Sequence, residues 1–207
     1  RRVLGKKELI SMGIGQIIGS GVFSLTGVAI RAMTVGYLPR KTEDEVTSGV
    51  KSTELITQGM YSIVRHPIAL GNLLAWYGII LYVGVSWFII GAILLYTLFT
   101  YQILLCEEEE LAKRFGDRYS LWASYTNALI PNRKLWIRSR DKFSLMQVLR
   151  REYIGFFFLV LTFVTINLLR NRVIEFTWSL SPLWTVVGGA TLLFTIFIRL
   201  IIKLINK

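Results

Sequence analysis

The stretch PIALGNLLAWYGIILYVGVSWFIIGAILLYTLFTYQILLCEEEE, residues 67–110, decides the fold. It holds two apolar runs, Ile68–Tyr82 and Trp87–Leu105, with no charge in either. Only the turn-like VGVS separates them, and four carboxylates close the second. Two further uncharged runs follow, Ile154–Leu169 and Leu183–Ile198. A bilayer core of about 30 Å takes roughly 20 helical residues, with about 17 as a working minimum. The longer runs span or nearly span such a core; the run from Ile68 is short, so it tilts or borrows Pro67 and its neighbours at the interface. Hydrophobic residues make up 53% of the 207, and mean hydropathy is +0.52, too apolar for an ordinary soluble domain. The expected fold is all-α: a multi-pass membrane helical bundle of about five transmembrane helices around a helical hairpin.

The net charge of +11 does not point to nucleic acid, because the basic residues lie between the apolar runs. Residues 106–152 carry ten Lys or Arg, against two in 170–182. By the positive-inside rule, 106–152 is cytoplasmic and 170–182 external, which puts 31–66, Lys203 and Lys207 inside as well. An integral membrane protein with its polar loops in the cytoplasm is expected, in contact with membrane lipids that include anionic ones. A single cysteine excludes an internal disulfide, and no cleavable leader pattern is evident.

Residues 4–30, LGKKELISMGIGQIIGSGVFSLTGVAI, read as a Gly-rich apolar helix. Gly15 and Gly19 form a G-x-x-x-G pair that suits close helix packing. The stretch also resembles the first helix of amino acid–polyamine transporters, where a broken helix at a similar IIGSGVF holds a substrate carboxylate. The packing reading is favoured. If 9–30 spans, Arg1, Arg2, Lys6 and Lys7 fall outside, against the charge rule, which marks 1–50 as an atypical or composite helix and linker. The remaining chain divides into a core at 51–135 and a C-terminal helix pair at 136–207. In that pair, Thr162 and Asn167 are candidates for interhelical hydrogen bonds.

The one histidine, His66, lies between Arg65 and Pro67 at the mouth of the first run. Proline favours a first helical turn, so Arg65 and His66 sit at a helix N-terminal edge whose unpaired amides and dipole suit an anion. Arg65 adds a fork shaped for carboxylate. Glu107–Glu110 cover every face of one turn at the end of the next helix, so one or two of them face back across the hairpin. Together the two ends make a mixed-charge pocket at the membrane surface, suited to a zwitterion.

GMYSIVRHPIALGN and EEEELAKRFGDRYSLWASYTNALIP, joined by a hairpin, resemble the isoprenylcysteine carboxyl methyltransferase family and its phospholipid methyltransferase relatives. The matched positions are Gly59, Tyr61, Arg65, His66, Pro67, Gly71, Glu107, Glu108, Leu111, Phe115, Gly116, Tyr119 and Pro131, within residues 55–131. The resemblance implies an S-adenosylmethionine-dependent methyltransferase acting on a lipid-linked substrate, either prenylcysteine-like or phospholipid-like. It assigns Tyr61, Arg65, His66, Pro67, Gly71, Glu107 and Glu108 to the cofactor pocket. Arg65, Glu108 and Tyr119 become the candidate catalytic residues, with Tyr119 closing the pocket. Two positions depart from the pattern: Ala69 and Trp122 stand where tyrosines are common. A sterol reductase family using NADPH shares the Arg-His-Pro hairpin and is the rival reading; a transporter-like fragment is the third.

Overall fold

A computed structural model describes residues 6–39, 54–176 and 178–205. Arg1, Arg2, Lys207 and the linker 40–53 lie outside them, as do the surroundings of Lys6, Lys7 and Gly15. Among the described residues the chain is all-helical: α1 Lys6–Gly36, α2 Met60–Ile63, α3 Pro67–Val83, α4 Ser86–Phe115, α5 Asp117–Tyr125, α6 Leu145–Glu175 and α7 Pro182–Ile205. A 3-10 turn at Arg133–Leu135 interrupts the long loop before α6.

Helices α4, α6 and α7 are long and apolar enough to cross a bilayer, their best windows averaging hydropathy 2.0, 1.9 and 2.1. Helix α3, at 17 residues, is the shorter apolar element. Pro67 starts it, as the missing amide allows. Gly84 ends it at φ 79, a left-handed cap that turns the chain straight into α4. Helix α4 does not stop at the lipid boundary but runs on through the four glutamates to Gly116, whose φ of 54 breaks it from α5.

Helix α1 is unbroken through Ile17–Phe23, unlike the transporter helix it resembles. It lies antiparallel along α3 with backbone against backbone. A methyl added at Gly27 would run into the Gly71 carbonyl and come within 2.6 Å of Ala75 N; one at Gly78 would meet the Ser24 side chain and backbone. Gly19 has open space around it, and among the described residues the close approach uses Gly27, Gly71 and Gly78 with Ser20 and Ser24.

The C-terminal pair is attached to this core. Tyr82 of α3, Phe163 of α6 and Trp184 of α7 form a ring cluster with centroids 5.0–5.8 Å apart, Phe163 stacked on Trp184. Asn167 Oδ1 accepts the Ser181 amide at 3.4 Å, fixing the start of α7. Thr162 instead donates to Phe158 O within its own helix.

Candidate functional site

Two polar helix ends, 42 positions apart from His66 to Glu108, meet where α3 begins and α4 leaves its apolar stretch. His66 is buried at 7% exposure. Its Nε2 lies 3.0 Å from Glu108 Oε1 and its Nδ1 3.4 Å from Glu107 Oε2, so each ring nitrogen has a carboxylate within reach. Arg65 NH1 reaches the same Glu108 oxygen at 3.1 Å. The glutamate run divides by helical phase: Glu107 and Glu108 turn toward α3, while Glu109 turns away to Lys113 at 2.6 Å.

The segment 58–66 is held from behind by the long loop. Arg65 N donates to Asn127 O and His66 N to Ala128 O, at 2.8 and 3.1 Å; Asn132 N donates to Ile63 O. The amides expected to receive an anion at Arg65 and His66 are therefore already used. Pro67 has none, so the helix start offers its dipole through the first-turn amides of Ile68 and Ala69, whose residues both line the cavity.

That cavity, about 420 Å³, falls within the usual range for small-molecule sites. Of the residues assigned to the cofactor pocket from the sequence, Tyr61, Arg65, His66, Pro67 and Glu107 line it. Glu108 and Tyr119 stand behind them. Tyr119 is buried beside Trp122, with its hydroxyl 3.5 Å from Arg65 NH1, so it supports Arg65 rather than closing the cavity. Burial, and secondarily the Glu108 charge, raises its pKa. Gly71 faces the other way. A methyl there would meet Arg31 Cγ at 2.6 Å and Gly27 O at 2.8 Å, so the glycine serves the α1–α3 contact. Burial together with the Glu107 charge pushes Tyr61 up to about 12, with Arg151 opposing.

The lining extends beyond the residues assigned to the pocket from the sequence, to Tyr96, Thr100, Ile103 and Asn72 among others. Tyr96, Thr100, Ile103, Glu107, Leu111 and Arg114 form one stripe down α4, recurring every three or four residues, with Glu110 beside it; Asn72 and Trp122 face them. The spacing was the available signal, masked by the apolar residues between. Arg65 Nε and the Trp122 indole N–H are buried with no hydrogen-bond partner in the structure, and both residues line the cavity. Buried donors left open at a concave site are where a ligand's acceptors belong.

Residues 14–118, just over half of the chain, match the family model described as phospholipid methyltransferase. No curated protein and no solved structure matches the chain. The match begins inside α1, so the helix read as composite or transporter-like is covered by the same family model as the Arg-His-Pro hairpin.

Proposed function

Because the chain belongs to the phospholipid methyltransferase family, we propose that it methylates the amine headgroup of a membrane phospholipid with S-adenosylmethionine bound beside Arg65 and His66. The supporting observation is the shared cavity of the two helix ends, with Arg65 Nε and Trp122 Nε1 buried beside it without a hydrogen-bond partner among the described residues. The donor set suits the cofactor: Arg65 and the α3 start for its carboxylate, Glu107 for its ammonium, and Ile68, Leu104 and Leu111 as apolar wall for its base. A prenylcysteine carboxylate, the other acceptor implied by the sequence resemblance, finds a less suitable mouth, since Glu107 and Glu110 would repel it.

S-adenosylmethionine, when bound, supplies a methyl group on an activated sulfonium. The protein's task is alignment and proton management. Holding reacting atoms in line at roughly 3–3.5 Å supplies several kcal/mol of the rate enhancement. Glu108 spends its charge on Arg65 and His66 and so positions both. With Glu107, paired with His66 Nδ1, set toward the cofactor's ammonium, Glu110 at the mouth is the carboxylate able to take a proton from an incoming ammonium. On this reading the charge bias of the loops sets this face on the cytoplasmic side, and α1 joins the three long apolar helices and the shorter α3 in the bundle.

Sealed vesicles carrying the protein, phosphatidylethanolamine and tritiated S-adenosylmethionine test the reading. Labelled methyl should appear in extracted lipid from inverted vesicles, where the cofactor reaches the cytoplasmic face, and stay near background in right-side-out ones. Label in neither orientation would defeat the assignment; label only in right-side-out vesicles would reverse the topology.

A further inference from the structure

Arg31 of α1 lies against the second turn of α3, below the charged mouth. Its Nε and NH2 donate to the two Glu152 oxygens of α6 at 2.7 and 2.8 Å, and its NH1 donates to Asn72 Oδ1. Ionisable groups at bundle depth are costly and are kept where they are paired and have a task. Here the pair sets the orientation of a neutral neighbour. Arginine only donates, so the Asn72 oxygen must face it, which leaves the carboxamide NH2 as the group Asn72 offers to the cavity it lines.

Asn72 follows His66 by six residues, about 9 Å deeper along the helix. Tyr96 and Thr100 stand at the same inner end, with Phe99 and Ile103 as apolar wall. Charge is confined to the mouth, at Arg65, Glu107, Glu110 and Arg114. Because Glu152 answers the Arg31 charge, the inner subsite presents a neutral donor, which suits a carbonyl oxygen better than a phosphate. An amphiphile with its headgroup at the mouth and its chains along Phe99 and Ile103 carries its ester linkages between the two.

We infer that Asn72, oriented by the Arg31–Glu152 pair, is a hydrogen-bond donor subsite for an ester carbonyl of the lipid acceptor. Glu152 lies on a helix outside the family match, so the C-terminal part of the chain takes part in acceptor selection. Asn72 touches the acceptor; Arg31 and Glu152 are positioning residues. The inference rests on the methyltransferase reading above.

The test compares diacyl with dialkyl phosphatidylethanolamine, identical in headgroup and chain length, as acceptors for the full-length protein in nanodiscs. One neutral hydrogen bond predicts about a five-fold higher kcat/KM for the diacyl lipid, expressed mainly in KM. Asn72→Leu should bring the ratio to about one, and Glu152→Gln should lower it by raising KM for the diacyl lipid alone. Equal rates for the two lipids in the unaltered protein, or a ratio that survives Asn72→Leu, would overturn the subsite while leaving the methyltransferase reading intact. If Asn72→Leu does not fold, the unaltered ratio and Glu152→Gln still decide: a ratio unchanged by Glu152→Gln removes the positioning role. Transfer to neither lipid, in a preparation that binds no S-adenosylmethionine, overturns both.

Discussion

At the residue scale, the site is a set of charges answered by other charges, with a few donors left over. His66 and Arg65 converge on one Glu108 oxygen, and Tyr119 backs Arg65, so these side chains hold one another before any ligand arrives. Tyr61 allows a test of this environment outside the membrane spans. Its folded-state pKa of about 12 lies above the ordinary 10.0, so folding keeps it protonated at pH values where the unfolded chain ionises. The stabilisation is complete below pH 10 and is lost as pH rises from there through 12. Thermal unfolding in detergent should therefore show Tyr61→Phe losing less stability than the unaltered protein over that window. Parallel pH curves for the two would mean that the phenol is not held away from water beside Glu107. Most of this residue set was legible in the sequence, because Arg65-His66-Pro67 and the glutamate run carry their chemistry in their types. Asn72 was not: an amide inside an apolar run acquires meaning only from what the fold puts opposite it. Trp122, which the sequence marks only as a departure from the family's tyrosine, acquires its place in the lining the same way.

At the element scale, the decisive contact is α1 against α3. Gly27 meets Gly71 backbone to backbone, and the same approach brings Arg31 beside Asn72. Gly27→Ala should destabilise the protein by about 1–3 kcal/mol, because the added carbon meets main chain that cannot move aside. Gly19→Ala should be neutral or stabilising by up to about 1 kcal/mol, since that position has open space and alanine is the better helix former. Melting temperatures of the two variants in one detergent check this, and the reverse order would contradict the interface. The hairpin could be read directly from uncharged run lengths, Pro67 and the VGVS turn. The position of α1 could not: its glycines at 19, 21 and 27 offer different faces, and only packing chooses Gly27 among them. The stripe on α4 was hidden for a similar reason, since an apolar helix in lipid shows no contrast between inward and outward faces.

At the scale of the whole molecule, the cavity is walled mainly by α3 and α4, and α1 packs on α3 from outside it. The C-terminal pair clasps these helices at two levels, through the Tyr82–Phe163–Trp184 rings and through Glu152 on Arg31. Exposed side chains such as Trp87, Ile90 and Leu95 along α4, and Leu193 and Phe197 along α7, are the lipid-facing surface expected of such a bundle. The N-terminal helix, which the charge rule marks as atypical or composite, enters the family match from residue 14 onward. The central claim is that the two polar helix ends form one cofactor site, and isothermal titration of the purified protein with S-adenosylmethionine tests it most directly. The account predicts one site per chain, weakened about ten-fold or more by His66→Ala and by Glu108→Gln through loss of charge-assisted hydrogen bonds, with no comparable heat from NADPH. Equal affinity in all three proteins, or binding of NADPH alone, would contradict it.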